Sequence, residues 1–237
     1  MTPLTFLSVL LLALVITAAA KKPTSHPHVG ILSAHNPGPF DVELGPNDLK
    51  ELAAGKSVMK QIEDPAGGSG GQALCIQDIS SPTSSVWSQI LDFNSYVGKV
   101  PKLKTCNTYL TESEEDHKRL KVKMVIGVLP GYSYTCYYDH KFYPSKNSLT
   151  WSLDYDKYSD FDDVQGHWHV EDVGERRCRV FYAADLKMRG KVPGPVMNIL
   201  SKKALREATG WVKRESEKAA ERMKEGPTVP GGAMPQN

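Results

Sequence analysis

The chain has 237 residues, 40% of them hydrophobic and 24% charged, the composition of an ordinary globular protein long enough to bury a sizeable core. Its formal charge of +2 comes from 29 basic and 27 acidic side chains mixed along the sequence. No cationic face is therefore available to gather phosphates, and nucleic acid is excluded as an expected partner. Cys75, Cys106, Cys136 and Cys178 contain no C-x-x-C pair, which argues against a zinc ribbon or a thioredoxin motif. In a domain this large they are expected to be buried thiols rather than staples.

Leu4 to Ala20 is an unbroken run of apolar and small residues followed by Lys21 and Lys22, which predicts a signal peptide over residues 1–20 and a secretory or extracellular destination. No Lys or Arg precedes the run, so a retained single-pass anchor or targeting to an organelle is the alternative. Residues 21–47 are expected to be a disordered linker, because Lys21 to Phe40 is rich in Pro, His, Gly and Ser with no apolar period. Leu49, Leu52, Ala53 and Met59 predict a short helix over 48–60, with Asn47 as N-cap. Gly67 to Gly71, reading GGSGG, is a joint that closes the segment 48–71.

From Gln72 the pattern is that of a sheet. Residues 72–79 carry apolar side chains at both parities, as a strand buried on both faces does. Val86, Trp87, Ile90 and Leu91 then sit at helical spacing after Pro82, and a further turn ends at Pro101. From Leu103 to Met188 about six more strands follow, joined as hairpins. Leu120, Val122, Met124, Ile126 and Val128 alternate with polar residues and assign even positions to the interior. The inward set continues with Tyr132, Tyr134, Cys136, Tyr138, His140 and Phe142, then Leu149, Trp151, Leu153 and Tyr155. It closes with Gly166, Trp168 and Val170, and with Val180, Tyr182, Ala184, Leu186 and Met188. Pro193 to Glu225 is a long amphipathic helix whose stripe is Met197, Leu200, Ala204, Ala208, Trp211 and Val212. Gly210 inside it predicts a close approach by a neighbour, and residues 226–237 are expected to be a disordered tail.

One strand, two short helices, hairpin-linked strands and a long C-terminal helix is an element order that resembles the START or polyketide-cyclase superfamily, the helix-grip fold. Val86-Trp87-Ser88-Gln89-Ile90-Leu91-Asp92-Phe93, with Tyr96 and Val100-Pro101, resembles the opening segment of the coenzyme Q-binding START-domain proteins. Gly166-His167-Trp168 and Arg179-Val180-Phe181-Tyr182 resemble their Gly-x-Trp and Arg-Val strand pattern. The resemblance implies an α+β domain over residues 72–225, a curved antiparallel sheet of about seven strands wrapped around the C-terminal helix. It also implies a tunnel for an apolar ligand such as a polyprenyl quinone, sterol or other lipid, with transient membrane contact and no cofactor beyond that bound molecule. The oligomeric state is left open.

Within that frame the expected ligand wall is Met124, Ile126, Tyr134, Trp151, Leu153, Trp168 and Tyr182 from the sheet, facing Leu200, Ala204 and Ala208 from the helix. Small residues at 204 and 208 leave room that a sealed core would fill. The alternative is a cyclase or dehydrase acting on an aromatic substrate in the same cavity, with Tyr134, Tyr138, His140 and Tyr182 as its polar groups. No Ser-His-Asp arrangement, phosphate loop or G-x-S-x-G elbow supports catalysis, so a non-catalytic binding module is the expectation. His167 and His169 fall on the outward face without a third ligand, and Asp160, Asp162 and Asp163 lack EF-hand spacing, so no metal site is expected and the acidic cluster reads as a solvated hairpin.

Overall fold

A computed structural model describes residues 24–62, 72–190 and 202–225. In chain order the elements are α1 (Pro46–Ala53), β1 (Val58–Ile62), β2 (Gln72–Ile79), α2 (Thr83–Leu91), β3 (Leu103–Ser113), β4 (Lys118–Leu129), β5 (Tyr132–Tyr143), β6 (Ser148–Leu153), β7 (Phe161–Gly174), β8 (Arg177–Met188) and α3 (Lys202–Glu225). The strands form one antiparallel sheet in the order β1-β2-β8-β7-β6-β5-β4-β3, with α3 packed across β2 and β8 and against α2. This is the α+β helix-grip arrangement. Among the described residues no helix is long and apolar enough to cross a membrane.

Side-chain parity explains the inner layer. Leu120 and Val122 are buried and Met124 and Ile126 half-buried, and each sits opposite an inward residue of β5, from Leu120 against His140 to Ile126 against Tyr134. The inner core gathers these with Ile79, Val86, Ile90, Trp168, Val180 and Val212. Two expected inward residues lie elsewhere. Tyr132, at the edge of the hairpin, is exposed. Tyr155 lies beyond the end of β6, where its hydroxyl donates to Asp163 Oδ1 at 2.8 Å.

The sheet has one strand more than expected, because the helix predicted over 48–60 is shorter. Pro46 opens it, the Gly45 N–H donates to Asp48 Oδ2 at 2.9 Å, and Gly55 at φ +76° stops it. Met59 then belongs to β1 and pairs with Cys75, so β2 is not an edge strand. β2 is buried on both faces, with Leu74, Cys75, Ile76 and Ile79 all sealed, because α3 lies across one face and Leu52 and Val58 pack with Leu74 and Ile76 on the other.

The larger departure concerns residues 24–44, expected to be unstructured. They run as a strap over the outer face of β6, β7 and β8. Asp163 Oδ2 accepts the backbone N–H groups of Ile31 and Leu32 at 2.6 and 2.8 Å, and the Gly38 N–H donates to Ser148 Oγ. Phe40, Val42 and Leu44 join Leu52, Leu74, Ile76, Phe181 and Ala183 in a second apolar cluster on that face. Asp163 is thus sealed rather than solvated, with 0% exposure. His167 and His169 point outward as parity requires, yet both are buried, His167 against Phe40 of the strap and His169 against Phe181.

All four cysteines are unpaired and buried, and burial pushes the Cys106, Cys136 and Cys178 thiols up to about 12. Gly210 meets no close approach, since a Cβ built there finds nothing within 4 Å. Residues 1–20, the Gly-rich joint, Met197, Leu200 and the tail lie outside the described residues.

An aromatic cavity as candidate functional site

The strands around Gly166 show how the sequence makes a wall rather than a filled core. Gly166 is in register with Trp151 on β6 and Ala184 on β8. A Cβ at Gly166 would lie 1.9 Å from Trp151 Cζ2, so the missing side chain is what lets the indole lie flat across β7. Laid over in this way, Trp151 stacks on Tyr182 with centroids 5.7 Å apart and planes 19° from parallel. Trp168 closes on the same tyrosine at 4.2 Å. The Gly-x-Trp pattern therefore sets the position of two indoles. The neighbouring Arg-Val pattern works at the sheet's other end, where Arg179 clasps Asp78 of β2 through Nε at 2.7 Å. Burial would raise the Asp78 carboxyl, but Arg179 and Arg177 outweigh it and hold it below the usual range.

Between this wall and α3 lies a cavity of about 590 Å³. Of the residues expected to line it, Met124, Ile126, Trp151, Trp168, Tyr182 and Ala208 do so. Tyr134 and Leu153 do not. Tyr134 packs against Tyr132 and Phe161, with centroids 5.3 and 5.1 Å away, and Leu153 is sealed in the core with 1% exposure. Parity names the face on which a side chain stands and leaves open whether a void or another side chain meets it there. Leu200 lies outside the described residues, as does the side chain of Ala204.

Phe93, Tyr96 and Trp211 also line the cavity and were not in the expected set, and Tyr138 and His140, expected there only as polar groups of the cyclase alternative, line it as well. Phe93 and Tyr96 come from the turn after α2, where Tyr96 is held by donating its hydroxyl to the Ile90 carbonyl. Their signal was present in the family-like run that ends at Phe93 and Tyr96. Trp211 of α3 meets Tyr96 at 4.8 Å and links the helix to that turn. His140 stands between Phe93, at 4.4 Å, and Trp151, at 5.9 Å. Burial drives its pKa down from 6.5 to about 3, so the imidazole is neutral at ordinary pH, and its Nδ1 has no hydrogen-bond partner. Burial likewise pushes the Tyr138 and Tyr182 hydroxyls up, keeping both protonated. The charged residues Lys102 and Glu207 are exposed and mark the rim.

On the outer face, one group among the described residues has metal-ligating potential, formed by His26, His28 and Asp162 with ligand atoms within 4.8 Å of one another. The Arg189 guanidinium stands 3.3 Å from His26 Nε2 and 3.9 Å from Asp162 Oδ1, a positive charge where a cation would sit. His167 Nε2 is committed to Ser148 Oγ at 2.6 Å.

A family model described as polyketide cyclase / dehydrase and lipid transport matches residues 79–209, more than half of the chain. The chain belongs to this family. The polyketide cyclase and lipid-transport match starts at the end of β2 and stops within α3, so it takes in the cavity lining except Ala73 and Trp211 and leaves the strap, α1 and β1 outside. Zhui aromatase/cyclase from Streptomyces sp. R1128 is a structural neighbour with a TM-score of 0.50 and 13% identity, covering 71% of this chain and 98% of that one. The 18 kDa protein CC1736 from Caulobacter crescentus gives a TM-score of 0.50 at 13% identity, over 65% of this chain and 99% of its own. The di-domain aromatase/cyclase StfQ of the steffimycin pathway gives 0.50 at 11%, over 63% of this chain and 46% of the di-domain. At such identities the likeness speaks for the fold alone. No curated protein matches the sequence.

Proposed function

We propose that this protein binds and carries an apolar small molecule, such as a polyprenyl quinone, sterol or other lipid, in the cavity between its sheet and α3. The observation that carries the reading is the unfilled space of about 590 Å³ walled by Trp151, Trp168 and Tyr182. An apolar void of that size forgoes contacts that larger side chains would supply, and it falls within the usual range of ligand sites, about 300–1,000 Å³. Ala208 on the helix side supports the same reading, since a bulkier residue there would close the space. With the leader expected over residues 1–20, the proposal extends to a carrier on the secretory route that meets membranes transiently to load and unload.

The test is native mass spectrometry of protein purified from its own source, followed by organic extraction. One apolar molecule per chain is the expected result. Protein that is bare in every preparation and takes up no lipid or quinone would overturn the carrier reading. A second reading is turnover of an aromatic polyketide, and what favours it is the neutral His140 imidazole in the cavity. Product formation lost on replacing His140 would install that reading instead.

A further inference from the structure

We infer that His140 is a recognition residue and that the cavity selects a ring-bearing apolar molecule carrying a hydroxyl group. This rests on the reading of the cavity as a binding site and sharpens it to a ligand class. His140 stands on β5 with 4% exposure, and it lines the void. Several buried side-chain nitrogens and oxygens among the described residues lack a hydrogen-bond partner, and of these the His140 Nδ1 alone belongs to a residue that lines the cavity. A buried polar atom left unpaired is costly, and one that borders a ligand cavity is satisfied when a ligand supplies the partner.

The chemistry of the partner follows from the state of the ring. Burial keeps His140 neutral, with a pKa of about 3, so it has no positive charge with which to hold a carboxylate. A neutral imidazole has one N–H and one lone pair. A hydroxyl both donates and accepts, so it satisfies Nδ1 in either tautomer, whereas an ether or carbonyl oxygen satisfies it only when Nδ1 carries the proton.

The shape of the partner follows from the walls. Trp151 and Tyr182 are nearly parallel and the His140 ring is 33° from the Trp151 plane, surfaces that suit flat rings through offset stacking. The space of about 590 Å³ falls within the range of sites for drug-sized ligands, which suits a fused-ring alcohol or phenol.

The test is fluorescence titration of the full chain with matched probes: pyrene, 1-hydroxypyrene, 1-methoxypyrene and 1-pyrenecarboxylate. Wild type is expected to bind 1-hydroxypyrene roughly ten-fold more tightly than pyrene, the worth of one buried hydrogen bond, with the carboxylate no better than pyrene. His140→Phe keeps a ring beside Phe93 and should erase the hydroxyl preference, binding pyrene and 1-hydroxypyrene alike. Equal binding of pyrene and 1-hydroxypyrene by wild type overturns the inference, and so does a preference that survives in His140→Phe. Should that variant fail to fold, the wild-type series decides alone: 1-methoxypyrene binding as tightly as 1-hydroxypyrene overturns a donor-and-acceptor site. Failure of every probe to bind, pyrene included, removes the cavity reading itself, an outcome distinct from pyrene binding without preference.

Discussion

The two faces of the one sheet are both covered, but in opposite ways. On the outer face the cover is the strap and α1, and polar side chains tie it down: Asp163 accepts the Ile31 and Leu32 amides, and His167 meets Ser148 beneath it. On the inner face the cover is α3, and between it and the sheet a void remains, edged by an imidazole nitrogen with no partner. Matched polar groups and filled apolar space are what stability favours. The contrast lies in the packing: the outer face is closed by the strap, and the inner face keeps the space that the proposed ligand would fill.

Acid should strain both faces, and it carries the largest expected effect. His140 inside and His167 outside each have a folded pKa near 3 against 6.5 for the free side chain, with burial the leading cause in each. A depressed folded value means that the neutral form is favoured by folding. Stability is therefore full above pH 6.5 and is lost as pH falls toward 3, at about 1.4 kcal/mol per pH unit per histidine. Urea unfolding at pH 7 and pH 5 should differ by about 2 kcal/mol for each of the two. His140→Phe and His167→Gln should each remove one such share, and a stability that is flat over this range contradicts both burials.

Gly166→Ala comes next and sharpens the inner half of the comparison. The new Cβ would overlap the Trp151 ring, which must leave its place on Tyr182. A loss of about 3 kcal/mol is expected in denaturant unfolding, together with a changed near-ultraviolet circular dichroism from the displaced indoles. An unchanged spectrum and stability would show that Trp151 does not lie across β7. The smallest expected effect is a gain: Gly210→Ala adds a methyl group into open space within α3 and should stabilise by about 0.5–1 kcal/mol.

The contrast between the faces also explains what could be read from the sequence. The alternation of Leu120 to Ile126, and the paired parities of β2, announced the sheet because period-two burial is a local signal. The sheet indoles Trp151 and Trp168 were legible for the same reason. Cover for the outer face was not, because it comes from a non-periodic segment more than a hundred residues away in sequence, joined through contacts such as Leu32 to Asp163. Without the strap in view, His167 and Asp163 read as solvated. Tyr134 and Leu153 were misplaced within the inner layer because inward direction carries no information on depth.

The most direct test of the division between the faces is one titration with pyrene on three proteins: wild type, Ala208→Phe on the inner face and Asp163→Asn on the outer. Ala208→Phe fills the cavity and should abolish binding while leaving the melting temperature equal or higher. Asp163→Asn disrupts the carboxylate that anchors Ile31, Leu32 and the Tyr155 hydroxyl, so it should lower stability by about 2 kcal/mol while pyrene affinity stays at the wild-type value. Wild-type affinity in Ala208→Phe, or binding lost only in Asp163→Asn, would place the ligand on the outer face and contradict the account.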